Sequence, residues 1–146
     1  MSGLKLGISL CLLLGLGTLP VLAHAGACSN ASIKGTYGDQ STVTQTNDVP
    51  PFFGELVGTL RFDGAGAGVT NFVFARSDGN GAPGSLTFTY AVASDCTLTV
   101  TWSNGETFSG VIVLDGQQID YVETSGACCG TPLIRRGRAT RVHVSE

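Results

Sequence analysis

Apolar and polar side chains alternate with a period of two along much of the chain. Leu86, Phe88, Tyr90 and Val92 take turns with Thr87, Thr89 and Ala91, and Leu98, Val100 and Trp102 with Thr97, Thr99 and Thr101. That is the period of a strand with one buried face. No stretch after residue 25 carries the apolar period of a helix. Asx-Gly signals punctuate the runs: Asp63-Gly64, the Asp78-Gly79-Asn80-Gly81 cluster, Asn104-Gly105 and Asp115-Gly116. Such pairs supply the positive φ angles of tight hairpin turns. The pattern predicts eight strands, at 33–38, 53–62, 69–76, 85–92, 96–102, 106–114, 117–123 and 133–144. Sequential strands with short loops form a meander that must hide its edges. The expected fold is all-β, an eight-stranded antiparallel up-and-down β-barrel. A β-sandwich is the alternative, and it usually needs longer Greek-key crossings.

Turn chemistry sets the register, and the register sets the buried face. A two-residue Asn104-Gly105 loop would place Trp102 beside Thr107 and mix apolar with polar on both faces. A three-residue loop, Ser103-Asn104-Gly105 with Gly105 left-handed, opposes Val100 to Phe108 and Leu98 to Gly110. A two-residue turn at Asp115-Gly116 then opposes Ile112 to Ile119 and Gly110 to Tyr121. The inner face becomes Leu98, Val100, Trp102, Phe108, Ile112, Leu114, Ile119 and Tyr121, joined by Leu86, Phe88, Tyr90 and Val92. The outer face is rich in threonine, with Val111, Val113 and Val122 as apolar exceptions that suggest a homo-oligomer contact.

Residues 1–25 read as a secretory signal peptide. Lys5 is the positive charge, 6–16 is an apolar stretch too short for a membrane span, and Ala23-His24-Ala25 fits the cleavage pattern. The expected location is the periplasm or the exterior. Lipidation at Cys28 is the rival route, although Ala25 stands where a lipobox prefers leucine. Roughly 120 residues remain, one domain at 26–146. Sparse, slightly acidic charge argues against nucleic acid as a partner, and no later segment is apolar enough for a membrane span.

Cys28, Cys96, Cys128 and Cys129 make an even set in an exported chain, so disulfides are expected. Cys28 precedes the first strand and Cys96 opens the fifth, which runs the same way; both lie at one end of the meander. Cys128 and Cys129 lie at the other end, roughly 20 Å off, beyond the reach of a disulfide. The expected pairing is therefore Cys28–Cys96. A vicinal Cys128–Cys129 bond is one reading of the rest; the other is a miscounted strand, with one of them bonded to Cys28 or Cys96. Cysteines split between two ends cannot surround a metal, and no metal or other cofactor is expected.

Two acids, Glu106 and Glu123, fall on the inner register toward one mouth as diagonal neighbours. Paired carboxylates can do glycosidic chemistry, but both stand at strand ends and read as solvated rim residues. Glu123 against Phe108 and Tyr121 would have a raised pKa and is the weak candidate for a catalytic proton donor. His143, a lone histidine near the end of the last predicted strand, reads as surface. Arg135, Arg136, Arg138 and Arg141 form a basic cluster that cross-strand pairs with Asp120 and Glu123 would explain.

Residues 28–38, Cys-Ser-Asn-Ala-Ser-Ile-Lys-Gly-Thr-Tyr-Gly, resemble the opening of a group of exported bacterial proteins of unknown role. The stretch 58–66 resembles their strand-and-turn signature. Tyr90-Ala91-Val92 followed by Asp95-Cys96-Thr97 resembles their middle hairpin. That group is similar to the allene oxide cyclase barrel family, a relative in shape of the lipocalins. The resemblance implies a lipocalin-like barrel. In the plant cyclases a glutamate steers ring opening of a fatty-acid epoxide inside the barrel; no acid here aligns with it, so the role is not carried over. The vicinal cysteines are not part of the group's pattern.

Three functions fit these residues. The first is a binding module holding a small apolar or amphipathic ligand in the lumen, against Phe88, Tyr90, Trp102, Phe108, Ile112, Ile119, Tyr121 and Glu123. The second is a structural or interaction protein with a filled core. The third is a cyclase- or isomerase-like enzyme acting inside the barrel, with Glu123 as its titratable group.

Overall fold

A computed structural model of the protein describes residues 27–45, 52–79, 81–125 and 133–142. Within them the strands are β1 (Gly35–Gln45), β2 (Phe52–Phe62), β3 (Ala67–Arg76), β4 (Gly81–Val92), β5 (Thr97–Trp102), β6 (Thr107–Val113), β7 (Gln118–Ser125) and β8 (Leu133–Arg141). They run in sequence order around a closed barrel, each antiparallel to its neighbours, and β8 closes on β1 from Tyr37↔Arg141 to Gln45↔Leu133. The expected up-and-down barrel is the fold. Residues 1–25, expected to be a signal peptide, and Cys128, Cys129 and His143 lie outside the described residues.

Local turn chemistry sets the register as anticipated. Trp102 N donates to Glu106 O at 2.9 Å, Gly105 takes a φ of 91°, and Val100 faces Phe108 across a three-residue loop. Asp115 and Gly116, with φ of 52° and 80°, close β6 onto β7 so that Ile112 meets Ile119. Leu114 departs from expectation. It takes a φ of 53° at the entry to this turn, which swings it out of the strand alternation and leaves it 68 % exposed.

Two strands are longer than their sequences suggest. β1 runs on to Gln45 because both β2 and β8 pair with it along that length. β4 begins at Gly81, through a Gly-Ala-Pro-Gly stretch that reads as loop. Among the described residues only β3 pairs with 81–86, since β5 pairs with β4 from Phe88↔Trp102 onward; on such an edge Pro83 costs no ladder bond.

Inside, aromatic rings form a continuous circuit. Tyr37 meets Phe62, Phe62 meets Phe88, Phe88 meets Trp102, Trp102 meets Phe108, and Phe108 meets Tyr121, all edge-to-face with centroids 5.0 to 5.7 Å apart. This geometry suits the ring quadrupoles. Small residues make room for the rings: a Cβ on Gly137 would strike the Tyr121 ring and hydroxyl and lie 2.6 Å from Ser41 Cβ. Outside, Thr89, Thr99, Thr101 and the Asp120–Arg138 pair face water. Among the described residues no helix is long and apolar enough to cross a membrane.

The two ends differ. At the lower end a 3₁₀ turn, Asn30–Ile33, plugs the barrel with Ile33 fully buried. The Cys28–Cys96 disulfide ties this plug to the start of β5. Closing a loop of that length is worth about 4 kcal/mol in the chain-entropy account. Arg141 completes the seal, donating to Ser32 O at 3.1 Å, Gly116 O at 3.2 Å and Tyr37 Oη at 2.8 Å. At the upper end β7 and β8 pair only as far as Val122↔Arg136. Glu123 and Arg135 stand just past that last rung.

Candidate functional site

All eight candidate ligand residues lie on the inward register. Phe88, Tyr90, Trp102, Phe108, Ile112 and Ile119 are buried in one cluster, with Tyr121 packed against it and Glu123 opposite Phe108. They divide by height. Tyr90 belongs to the lower end, where its hydroxyl accepts from Gly64 N at 2.8 Å and meets Asp63 Oδ1 at 3.3 Å. Ile112 and Ile119 pack against each other near the lower turn. The void left among the rings measures about 20 Å³, room for about one water molecule. The middle and lower lumen are filled by side chains.

The upper lumen is chemically different. Tyr121 donates from its hydroxyl to Asp39 Oδ1 at 2.6 Å. Arg135 donates from Nε to Ser41 Oγ at 3.0 Å and places Nη2 3.7 Å from Asp39 Oδ2. Its guanidinium also lies 5.0 Å from the centre of the Phe108 ring, a cation–π arrangement. Burial holds the Asp39 carboxyl above its ordinary range, while the Tyr121 hydrogen bond and the Arg135 charge pull it back. Burial, then the Asp39 charge, pushes the Tyr121 phenol well above its usual value. This network satisfies most of its members and braces β1, β7 and β8 against one another.

Glu106 and Glu123 are not rim residues. Glu106 is only 8 % exposed, and its backbone N–H donates to Asn104 Oδ1 at 3.2 Å in the preceding turn. Both carboxylate oxygens of Glu123 are buried and find no hydrogen-bond partner among the described residues. Burial, and then the Glu106 charge, push the Glu123 pKa up to about 7 despite the opposing pull of Arg135. Trp102, 7 % exposed on the rung of Glu106, likewise buries its Nε1–H without a partner. The raised pKa expected of Glu123 is therefore present, and it arises from both a neighbouring acid and burial.

The basic cluster separates by strand alternation. Arg135 and Arg141 turn inward at opposite ends of the barrel, while Arg136 and Arg138 are exposed outside. Cross-strand pairing explains Arg138, which meets Asp120 at 2.7 Å, but Arg135 serves Asp39 and Arg141 serves backbone carbonyls. Val111 and Val122 are exposed as anticipated, and Val113 is half-buried. They share the outer wall with an open depression of about 1240 Å³. Among the described residues, no group of three or more His, Cys, Asp or Glu side chains converges as a metal site.

Asp39 and Ser41 are site residues that sequence reasoning missed, and Arg135, named there only in the basic cluster, was assigned the wrong partners. The alternation Tyr37, Asp39, Ser41, Val43 was the available signal. Its inner members are polar in the middle, so it reads as loop to any rule that seeks alternating apolar residues.

No family model matches this chain, and no curated protein matches it. Its shape is similar to that of several solved barrels. A de novo designed fluorescence-activating beta barrel is 16% identical over 76% of this chain and 94% of its own, with a TM-score of 0.43. The redesigned beta barrel mFAP0, bound to DFHBI, is 19% identical over 75% and 98%, with a TM-score of 0.42. The S-type phycobiliprotein lyase CPES from Guillardia theta is 5% identical over 80% and 92%, with a TM-score of 0.49. The likeness is one of strand architecture.

Proposed function

We propose that the protein is an exported binding barrel that holds a small amphipathic molecule in its upper mouth, with Trp102 and Phe108 as the floor and Glu123 as a polar handle. The observation that carries this reading is the set of buried, unpartnered polar atoms on one wall: both Glu123 oxygens and Trp102 Nε1. Buried polar groups in native proteins are almost always hydrogen-bonded, because leaving one unpaired costs about 1–3 kcal/mol. A ligand that fits over the rings and meets these atoms would recover that energy. The filled lower lumen restricts it to the mouth. The sequence resemblance at residues 28–38 and the Cys28–Cys96 bond support export.

A second reading, a filled barrel acting through its outer wall, is favoured by the interlocked chain of rings and the void of about 20 Å³. One titration separates the two. Trp102 is the sole tryptophan, so its indole N–H gives one isolated resonance in a ¹⁵N-correlated NMR spectrum. A panel sharing a phenyl ring and a hydroxyl but differing in charge is added: phenylethanolamine as cation, phenylethane-1,2-diol as neutral, mandelate as anion. Saturable movement of the indole resonance with at least one member is expected. An indole resonance unmoved by all three at millimolar concentration would remove the mouth as a binding site.

A further inference from the structure

The charges facing the upper lumen do not balance. Among the described residues they are Asp39, Glu106 and Glu123 against Arg135. Arg76, at the top of β3, is tied to Asp78 in its own turn at 2.9 Å. Arg135 is already engaged: it serves Asp39 and Ser41 and rests on Phe108. Its charge reaches Glu123, yet no hydrogen bond joins them, and Glu106 works against it. The pair Glu106 and Glu123 thus confronts the mouth with surplus negative charge in a partly desolvated setting, where a cation would be attracted strongly.

An independent feature at the same height points to more than a bare charge. Trp102 is nine-tenths buried on the rung of Glu106, and its Nε1–H lacks an acceptor. An occupant of this mouth therefore meets carboxylates that need donors and an indole that needs an acceptor. It also meets an aromatic wall that already carries one cation, the Arg135 guanidinium over Phe108. A metal ion would use the carboxylates but neither the indole N–H nor the rings, and among the described residues no set of ligating side chains converges here.

We infer that the upper mouth is built for an organic ammonium ion that carries a nearby hydroxyl or carbonyl oxygen and an apolar body. Its charged nitrogen donates to Glu123 beside Glu106, its oxygen accepts from Trp102 Nε1, and its apolar body lies against Trp102 and Phe108. This deepens the binding reading above and depends on it. Charge-assisted hydrogen bonds are about twice as strong as neutral ones, so charge, more than shape, should decide which molecule is held.

The test measures affinities for phenylethanolamine, phenylethane-1,2-diol and mandelate by Trp102 fluorescence on the full protein, its Glu123→Gln and its Glu106→Gln variants. Glutamine keeps the shape of each side chain and relieves their repulsion, and a far-UV spectrum with the melting temperature reports that each variant is folded. The amine should bind at least about tenfold more tightly than the diol, with mandelate weakest. Glu123→Gln should lower amine affinity by about tenfold or more and so abolish the preference for the amine over the diol, and Glu106→Gln should reduce the preference. Equal affinities for amine and diol in the unmodified protein, or a preference that survives in Glu123→Gln, would overturn the assignment of a cation while leaving a binding mouth intact. No response to any of the three would instead overturn the binding reading itself.

Discussion

Glu123 is the residue on which the account turns. Its ordinary chemistry is altered by position: the strand end that reads as rim is covered, and the nearest acid makes its ionisation harder. A carboxyl whose pKa rises from 4.5 to about 7 on folding binds more protons in the native than in the unfolded chain between those values. Its cost to stability is thus absent below about 4.5, grows as pH rises through that window, and is complete above 7. Glu123→Gln should therefore stabilise the protein at pH 8 and change little at pH 4, with a difference on the order of 1 kcal/mol once solvent screening of this half-buried group is allowed for. Urea denaturation of both proteins at the two pH values checks it; an equal effect at both would mean that Glu123 ionises normally. Sequence alone placed Glu123 on the inner face beside Phe108. It did not place Glu106 under cover, because a residue directly after a hairpin turn reads as solvated and only the folded barrel shows it 8 % exposed.

At the scale of elements, β1, β7 and β8 form the wall that holds the polar network. The β7–β8 pairing brings Gly137 opposite Tyr121, and the missing side chain lets the phenol reach Asp39 on β1. Gly137→Ala would force the ring away from Asp39. Overpacking of this kind costs about 1–3 kcal/mol, and the loss of a hydrogen bond to a charged group adds to it. Denaturant unfolding should show the midpoint falling without a change in slope; an unchanged midpoint would mean that the network contributes no stability. The hairpins were legible because turn chemistry is local: Gly105 and the Asp115-Gly116 pair fix their registers from a few residues. The length of β1 and β4 was not, because only partner strands decide whether Asp39 or Pro83 belongs to a strand. The division of the arginines was equally hidden in composition and became plain only when alternation along β8 was anchored at the right residue.

For the molecule as a whole, one end is closed and chemically quiet while the other is polar and unbalanced. The lower plug combines the disulfide, Ile33 and the Arg141 clamp. The aromatic circuit fills the middle. The proposed site is the upper mouth. A sequence can show which residues face inward, and all eight candidate residues do. It cannot show whether eight inward side chains line a cavity or fill it, since that depends on how rings such as Phe62, Phe88 and Trp102 interlock. The central claim is that ligand binds only above these rings. The direct measurement is the set of intermolecular NOEs between phenylethanolamine and the assigned side chains at saturation. The account predicts contacts to Trp102 and Phe108 and none to Tyr90, Ile112 or Ile119. Contacts to those three would contradict it, as would contacts confined to Val111 and Val122 on the outer wall.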